Sequence, residues 1–168
     1  MIEASRQGAL ISAGTLLGAG LGGFLDGIVL HQILQWHNML SNVVPPTDLV
    51  TVKYNMVYDG LFHLMTWVVT AVGLALLWRA GQDPRVPWST RTLLGSLALG
   101  WGLFNLSEGI LDHLVFGLHH VRPGEHQLAW DLAFSAFGAL LVAIGSVLVR
   151  SGRRDRTARG GLSTAKRA

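Results

Sequence analysis

The sequence predicts an all-α fold, a four-transmembrane-helix bundle built from two tandem helix-pair repeats. Half of the 168 residues are hydrophobic, only 14% are charged, and the mean hydropathy is +0.41. Soluble domains carry about 25% charge, so this composition points to a bilayer. Four apolar runs (8–36, 59–78, 92–118 and 128–149) each approach or exceed the roughly 20 residues that a helix needs to span it. In addition, Asp26-Gly27-Ile28, His31 and His37 align without a gap on Glu108-Gly109-Ile110, His113 and His119. The next apolar runs carry Tyr58-Asp59-Gly60-Leu61-Phe62 and Trp130-Asp131-Leu132-Ala133-Phe134. Repeat one covers about 8–80 and repeat two about 90–149, together forming one transmembrane domain over residues 1–149.

The first run is too long for a secretory apolar core, and no polar stretch follows a plausible cleavage site before Asp26, so an uncleaved helix is expected. Pro45, Pro46, Thr47 and Asp48 form a helix-start signal, which projects the second helix beyond the bilayer. Arg79, Arg85 and Arg91 mark the loop between the second and third helices as cytoplasmic, whereas the opposite loops hold only Lys53 and Arg122. Trp78 and Trp88 suit the inner interface. Both termini are therefore expected in the cytoplasm. Residues 150–168 form a basic tail expected to be disordered: seven lysines and arginines face Asp155 alone, so the remainder of the chain is net negative. The tail suits a solvated segment near anionic lipid, and nucleic acid is not an expected partner. The absence of cysteine excludes disulfides, thiolate metal sites and cysteine nucleophiles.

Ionisable groups inside the spans are the chemistry-bearing feature, because each costs about 2.5–3.5 kcal/mol at the helix centre by insertion scales. A rise of 1.5 Å per residue puts Asp26, Asp59, Glu108 and Asp131 at about 24–28 Å from the cytoplasmic ends, one acid per helix in one slab. His63 falls slightly below, and His31, Asp112 and His113 slightly above. Asp59 and His63, at i and i+4, share a face. On an ideal helix, however, Asp26 and His31 are about 140° apart, as are Glu108 and His113. A π-bulge or a glycine-permitted distortion at Gly27 and Gly109 would reconcile each pair.

Buried carboxylates must be protonated, paired or metal-bound, and no lysine or arginine lies in the slab. The expected ligands of a mono- or dinuclear metal site are thus Asp26, His31, Asp59, His63, Glu108, Asp112, His113 and Asp131. The plan resembles soluble carboxylate-bridged dimetal bundles. A divalent transition metal suits this donor set, and iron, zinc or copper all remain open. His37, His119, His120 and His126 form an outer tier of further ligands or a proton relay. The spaced glycines from Gly14 to Gly27 read as close helix packing, within the chain or in a homo-oligomer.

The segment Gly22-Gly23-Phe24-Leu25-Asp26-Gly27-Ile28-Val29-Leu30-His31-Gln32, the pattern Glu108-Gly109-Ile110-x-Asp112-His113, and Leu118-His119-His120-Val121-Arg122 carry a resemblance. Over about residues 10–150 the chain resembles a bacterial family of small predicted membrane proteins catalogued as domain of unknown function 2243. The resemblance implies four helices in a bacterial cytoplasmic membrane and shared His/Asp motifs, with no assigned activity. The family pattern also places histidines where this chain has Asn38 and Leu114.

Three functions fit these residues. The first is a membrane metalloenzyme of oxidoreductase type acting on a small lipophilic substrate. The second is copper or zinc handling, with delivery to an exoplasmic metalloprotein. The third is haem binding, with His31 or His63 paired with His113.

Overall fold

The computed structural model describes residues 2–165, and the side chains of residues 7–152. It is all-helical, with no strand among the described residues: α1 (Ile2–Asp26), α2 (Leu49–Gln82), α3 (Thr90–Glu108) and α4 (Gln127–Ala165). Three helical stretches, Gln7–Ile33, Leu49–Gln82 and Gln127–Gly152, are long and apolar enough to cross a membrane. The third helix is not among them, because Arg91, Asn105, Glu108 and its glycines dilute its apolar content. The helix of α4 continues to Ala165, so Arg150, where the tail was expected to begin, is not a helix end.

α1 and α3 form the central pair. α2 packs on α1, and α4 packs on α3. Small residues make this possible: a Cβ at Gly18 would run into the Leu97 carbonyl, and one at Gly100 into the Thr15 carbonyl. Gly95, Gly102, Gly138 and Gly145 do the same between α3 and α4. The burial pattern inverts that of a soluble protein. Asp26, His31, Asn55, Asp59, Thr66, Asn105, Glu108 and Asp131 are buried, while Leu21, Leu25, Val68, Leu74, Leu140 and Val147 are exposed.

Helix starts follow the sequence signals. Asp48 caps α2 by accepting from Val50 N (2.7 Å) and Thr51 N (3.0 Å), while Thr51 Oγ1 accepts from Asp48 N, a reciprocal capping box. Ser89 caps α3 through Thr92 N.

Two π-helical turns, Gly27–Ile33 and Gly109–Val115, continue α1 and α3. Each closes with an i→i−5 bond of 2.8 Å, from Leu34 N to Val29 O and from Phe116 N to Leu111 O. A left-handed residue then reverses the chain: Gln35 (φ 49°) after the first turn, Gly117 (φ 57°) after the second. The outer segments that follow are tied together by Asn42, whose N donates to Leu118 O and whose Nδ2 donates to Gly117 O. Arg122 lies over Trp36 and Trp130, 5.2 and 5.7 Å from their rings, and covers this end of the bundle.

Candidate metal centre

The π-turns bring together what an ideal helix holds apart. With i→i+5 winding, residues five apart share a face, and His31 stands five after Asp26, as His113 does after Glu108. His31 Nε2 comes to 3.2 Å from Asp26 Oδ2. Glycine opens each π-turn at a close approach: a Cβ at Gly27 would lie 2.7 Å from His63 Nε2, and one at Gly109 would lie 2.5 Å from Ser135 Oγ.

Four imidazoles gather above the two acids. The His37 and His119 rings stack at 4.5 Å and 10°. His31 meets His37 edge-on at 4.5 Å, and His113 meets His119 edge-on at 4.7 Å. Three sets of donor atoms lie within 4.8 Å of one another: His31, His37 and His119; Glu108, His113 and His119; Asp26, His31 and Glu108. All six residues are buried.

Hydrogen bonding fixes which way the imidazoles face. His37 Nδ1 donates to Val121 O at 2.8 Å, and His119 Nδ1 donates to Met39 O at 3.0 Å. A carbonyl only accepts, so Nδ1 carries the proton in both rings. His31 Nδ1 donates likewise to the Asp59 carboxylate at 3.0 Å. The Nε2 atoms of all three are buried and make no hydrogen bond, as do Asp26 Oδ2, both Glu108 carboxyl oxygens and both His113 nitrogens. With Nδ1 committed to a carbonyl, the inward Nε2 of His37 and of His119 offers a lone pair when its ring is neutral. Lone pair then faces carboxylate, with Glu108 Oε1 3.7 Å from His119 Nε2. Acceptors this close repel unless a proton or a metal ion lies among them.

Asp59 and Asp131 stand behind the imidazoles. Asp59 accepts from His31, from Asn38 Nδ2 (2.7 Å) and from Met39 N (2.7 Å). Asp131 accepts from His120 Nδ1 (2.7 Å) and Val121 N (2.9 Å), with His113 Nδ1 at 3.6 Å. Both acids are thus held by donors, and Asp59, through its bond to His31 Nδ1, fixes the orientation of that imidazole.

Among the expected ligands, the structure brings Asp26, His31, Glu108 and His113 together, with Asp59 and Asp131 behind them. His37 and His119, expected in an outer tier, stand at the middle of the group. His63 and Asp112 do not join it. Nδ1 of His63 is held by its own Asp59 carbonyl at 2.8 Å, and its ring packs against Phe24 and Phe62. Asp112 is half-buried and belongs to none of the three sets. His120 turns to Asp131, and His126 is exposed. Asn38 and Asn105 were not anticipated. The alignment that pairs Asn38 with His120 was the available signal for the first.

Apolar helices enclosing a buried histidine–carboxylate group define an integral membrane protein. The family model described as Predicted membrane protein (DUF2243) matches residues 13–152, and the chain belongs to that family. No curated protein and no solved structure matches the chain.

Proposed function

We propose that this protein is a membrane metalloprotein that holds two divalent transition-metal ions, iron, zinc or copper, between its two halves. One ion takes His31 and His37, the other His113 and His119, and Asp26 and Glu108 lie between them. The observation that carries this reading is the set of inward Nε2 atoms on His31, His37 and His119. Those of His37 and His119 make no hydrogen bond and that of His31 faces Asp26 Oδ2 at 3.2 Å, while Nδ1 of each ring is committed outward. Histidines that bind metal keep this division of labour, with the distal N–H given to a carboxylate or a backbone carbonyl. No lysine or arginine occurs in 7–52 or 92–121 to neutralise the acids instead. When bound, such ions supply Lewis-acid or redox chemistry.

The repeat reading rests on contacts that recur 82 positions apart. His37 reaches Val121 and His119 reaches Met39; Gln35 and Gly117 share a left-handed backbone; the π-turns close on matched bonds. Such parallel repeats related by an axis along the membrane normal are a known architecture. The same reading makes α3 with its π-turn the fourth span, its small and polar residues turned to α1 and α4. The basic loop after α2 and the basic C-terminus support an orientation with both termini in the cytoplasm of a bacterial inner membrane.

Handling or delivery of copper or zinc is the second reading, favoured by the exposed His126 and Glu125 in a recess beside Arg122 and Trp130 at the outer end. Haem is disfavoured, because Asp26 and Glu108 lie among the imidazoles, and carboxylates do not belong against a haem face.

Elemental analysis of protein purified in mild detergent tests the proposal. Two ions per chain are expected, with at least one lost in His37→Ala or His119→Ala and both kept in His63→Ala. Full occupancy in the His37→Ala/His119→Ala double variant, or metal-free protein from metal-replete cells, would overturn it.

A further inference from the structure

A cleft of about 150 Å3 opens on the flank of the bundle between α1 and α4, with α3 as its floor. Gly22, Leu25, Val29 and Leu30 form one wall, and Phe134 and Phe137 the other. Its outer rim is open, since Leu25 is 51% and Phe137 44% exposed. At this depth the exterior is lipid, because Gln7–Ile33 and Gln127–Gly152 are both span-forming. Two polar side chains break the apolar lining: Asp26, which belongs to the candidate centre, and Asn105. Asn105 is 3% exposed, yet its carboxamide makes no hydrogen bond among the described residues. Its amide atoms are not among the enclosed, unpartnered ones and are reachable from the cleft, so a polar guest there can supply the partner that the protein does not.

The other half of the molecule shows that the cleft is not a packing necessity. The position matching Gly22 is Phe104, whose ring closes the corresponding groove against Phe62 (6.1 Å between ring centres) and Gly23. One flank is thus plugged by an aromatic ring, and the other is left open by a glycine.

We propose that this cleft admits a small lipophilic molecule from the bilayer, bearing one hydroxyl or carbonyl head that reaches Asn105 beside Asp26. The proposal rests on the metal-centre reading for what happens to that molecule, and on the cleft alone for its binding. The apolar walls take the hydrocarbon, and Asn105 donates to a carbonyl or accepts from a hydroxyl. Because the entry lies within the membrane, the substrate class is one that partitions into lipid.

Photolabelling with 3-azioctanol, a diazirine-bearing alkanol, tests this on the full chain in nanodiscs. Adducts are expected on Leu25, Phe134 or Phe137, suppressed at least fivefold by excess 1-octanol and not by octane. Asn105→Leu should reduce this labelling at least fivefold, and Leu25→Trp, at the exposed mouth, should do the same without touching the interior. Labelling spread evenly over the exposed faces of α2 and α4, or competed equally by octane, would overturn the proposal. Metal content is read on the same preparations. Metal-free protein that still labels saturably sinks the centre and leaves the cleft; metal-loaded protein without saturable labelling does the reverse.

Discussion

The imidazoles of His37 and His119 lie face to face at 4.5 Å, and each is anchored by the backbone that follows the other. His37 donates to Val121 O, two residues past His119, and His119 donates to Met39 O, two residues past His37. The halves therefore hold one another's rings. Neither imidazole keeps its orientation if the opposite outer segment moves.

The carboxylates behind the rings should matter nearly as much as the rings. Asp59→Asn is expected to weaken metal binding by about 10–100-fold, the usual cost of losing an outer partner of a histidine ligand, and Asp131→Asn, which loses bonds to His120 and Val121 only, to weaken it less. Competition against a chelator of known affinity measures this. Asp112→Asn should leave the affinity unchanged, since Asp112 joins none of the convergent sets.

The central helix pair depends on two glycines in matched places. A methyl at Gly18 meets the Leu97 carbonyl, and one at Gly100 meets the Thr15 carbonyl, backbone that has no rotamer with which to yield. Gly18→Ala and Gly100→Ala should each destabilise the protein by about 1–3 kcal/mol, the range for overpacking. Unfolding by steric trapping in bicelles would read the loss. Gly60→Ala, with nothing within 4 Å of its added methyl, serves as the neutral comparison.

Gln35 occupies a left-handed backbone (φ 49°) that its counterpart fills with Gly117. Non-glycine residues carry a penalty of roughly 1–2 kcal/mol there, partly offset by the greater chain entropy of glycine. Gln35→Gly should raise stability by up to about 1 kcal/mol, while Gly117→Gln should lower it. Thermal unfolding of the two variants compares them directly.

Asp48 lies outside the spans and fixes the start of α2. Asp48→Ala is expected to cost about 1 kcal/mol, and Asp48→Asn much less. Backbone donation from Thr51 and Val50 holds the Asp48 carboxyl below its ordinary range. The advantage of the carboxylate is therefore present at neutral pH and disappears as pH falls through the Asp48 titration. Amide exchange at the first turn of α2, followed from pH 6 to pH 3, reads it.

Much of this was legible in the chain. The aligned motifs singled out Asp26, His31 and His37 with Glu108, His113 and His119, the six residues that the structure gathers. Regular 3.6-residue winding could not place Asp26 and His31 on one side, and Gly27 and Gly109 were the only written clue to the π-turns. The spacing of Asp59 and His63 suggested joint ligation, but an i→i+4 pair also lets a ring bond its own helix carbonyl. His63 does so, while Asp59 turns to donors from the other segments. The depth of His37 and His119 was misleading for a different reason. Past each π-turn the chain folds back inward through Gln35 and Gly117, so residues counted as an outer tier return to the centre. Asn105 carried no periodic signal, since it reads as one more polar residue on a crowded helix face.

Each π-turn gives its helix one residue more than regular winding would use. Deleting one position between 27 and 33 lets the segment relax to ordinary winding at almost unchanged span length, and swings His31 by about 100°. The chain is thus far more sensitive to length than to composition along these seven residues. Conservative exchanges of the outward Ile28 or Ile33 would pass unnoticed, whereas a single codon loss would dismantle the interior while leaving a protein that still inserts.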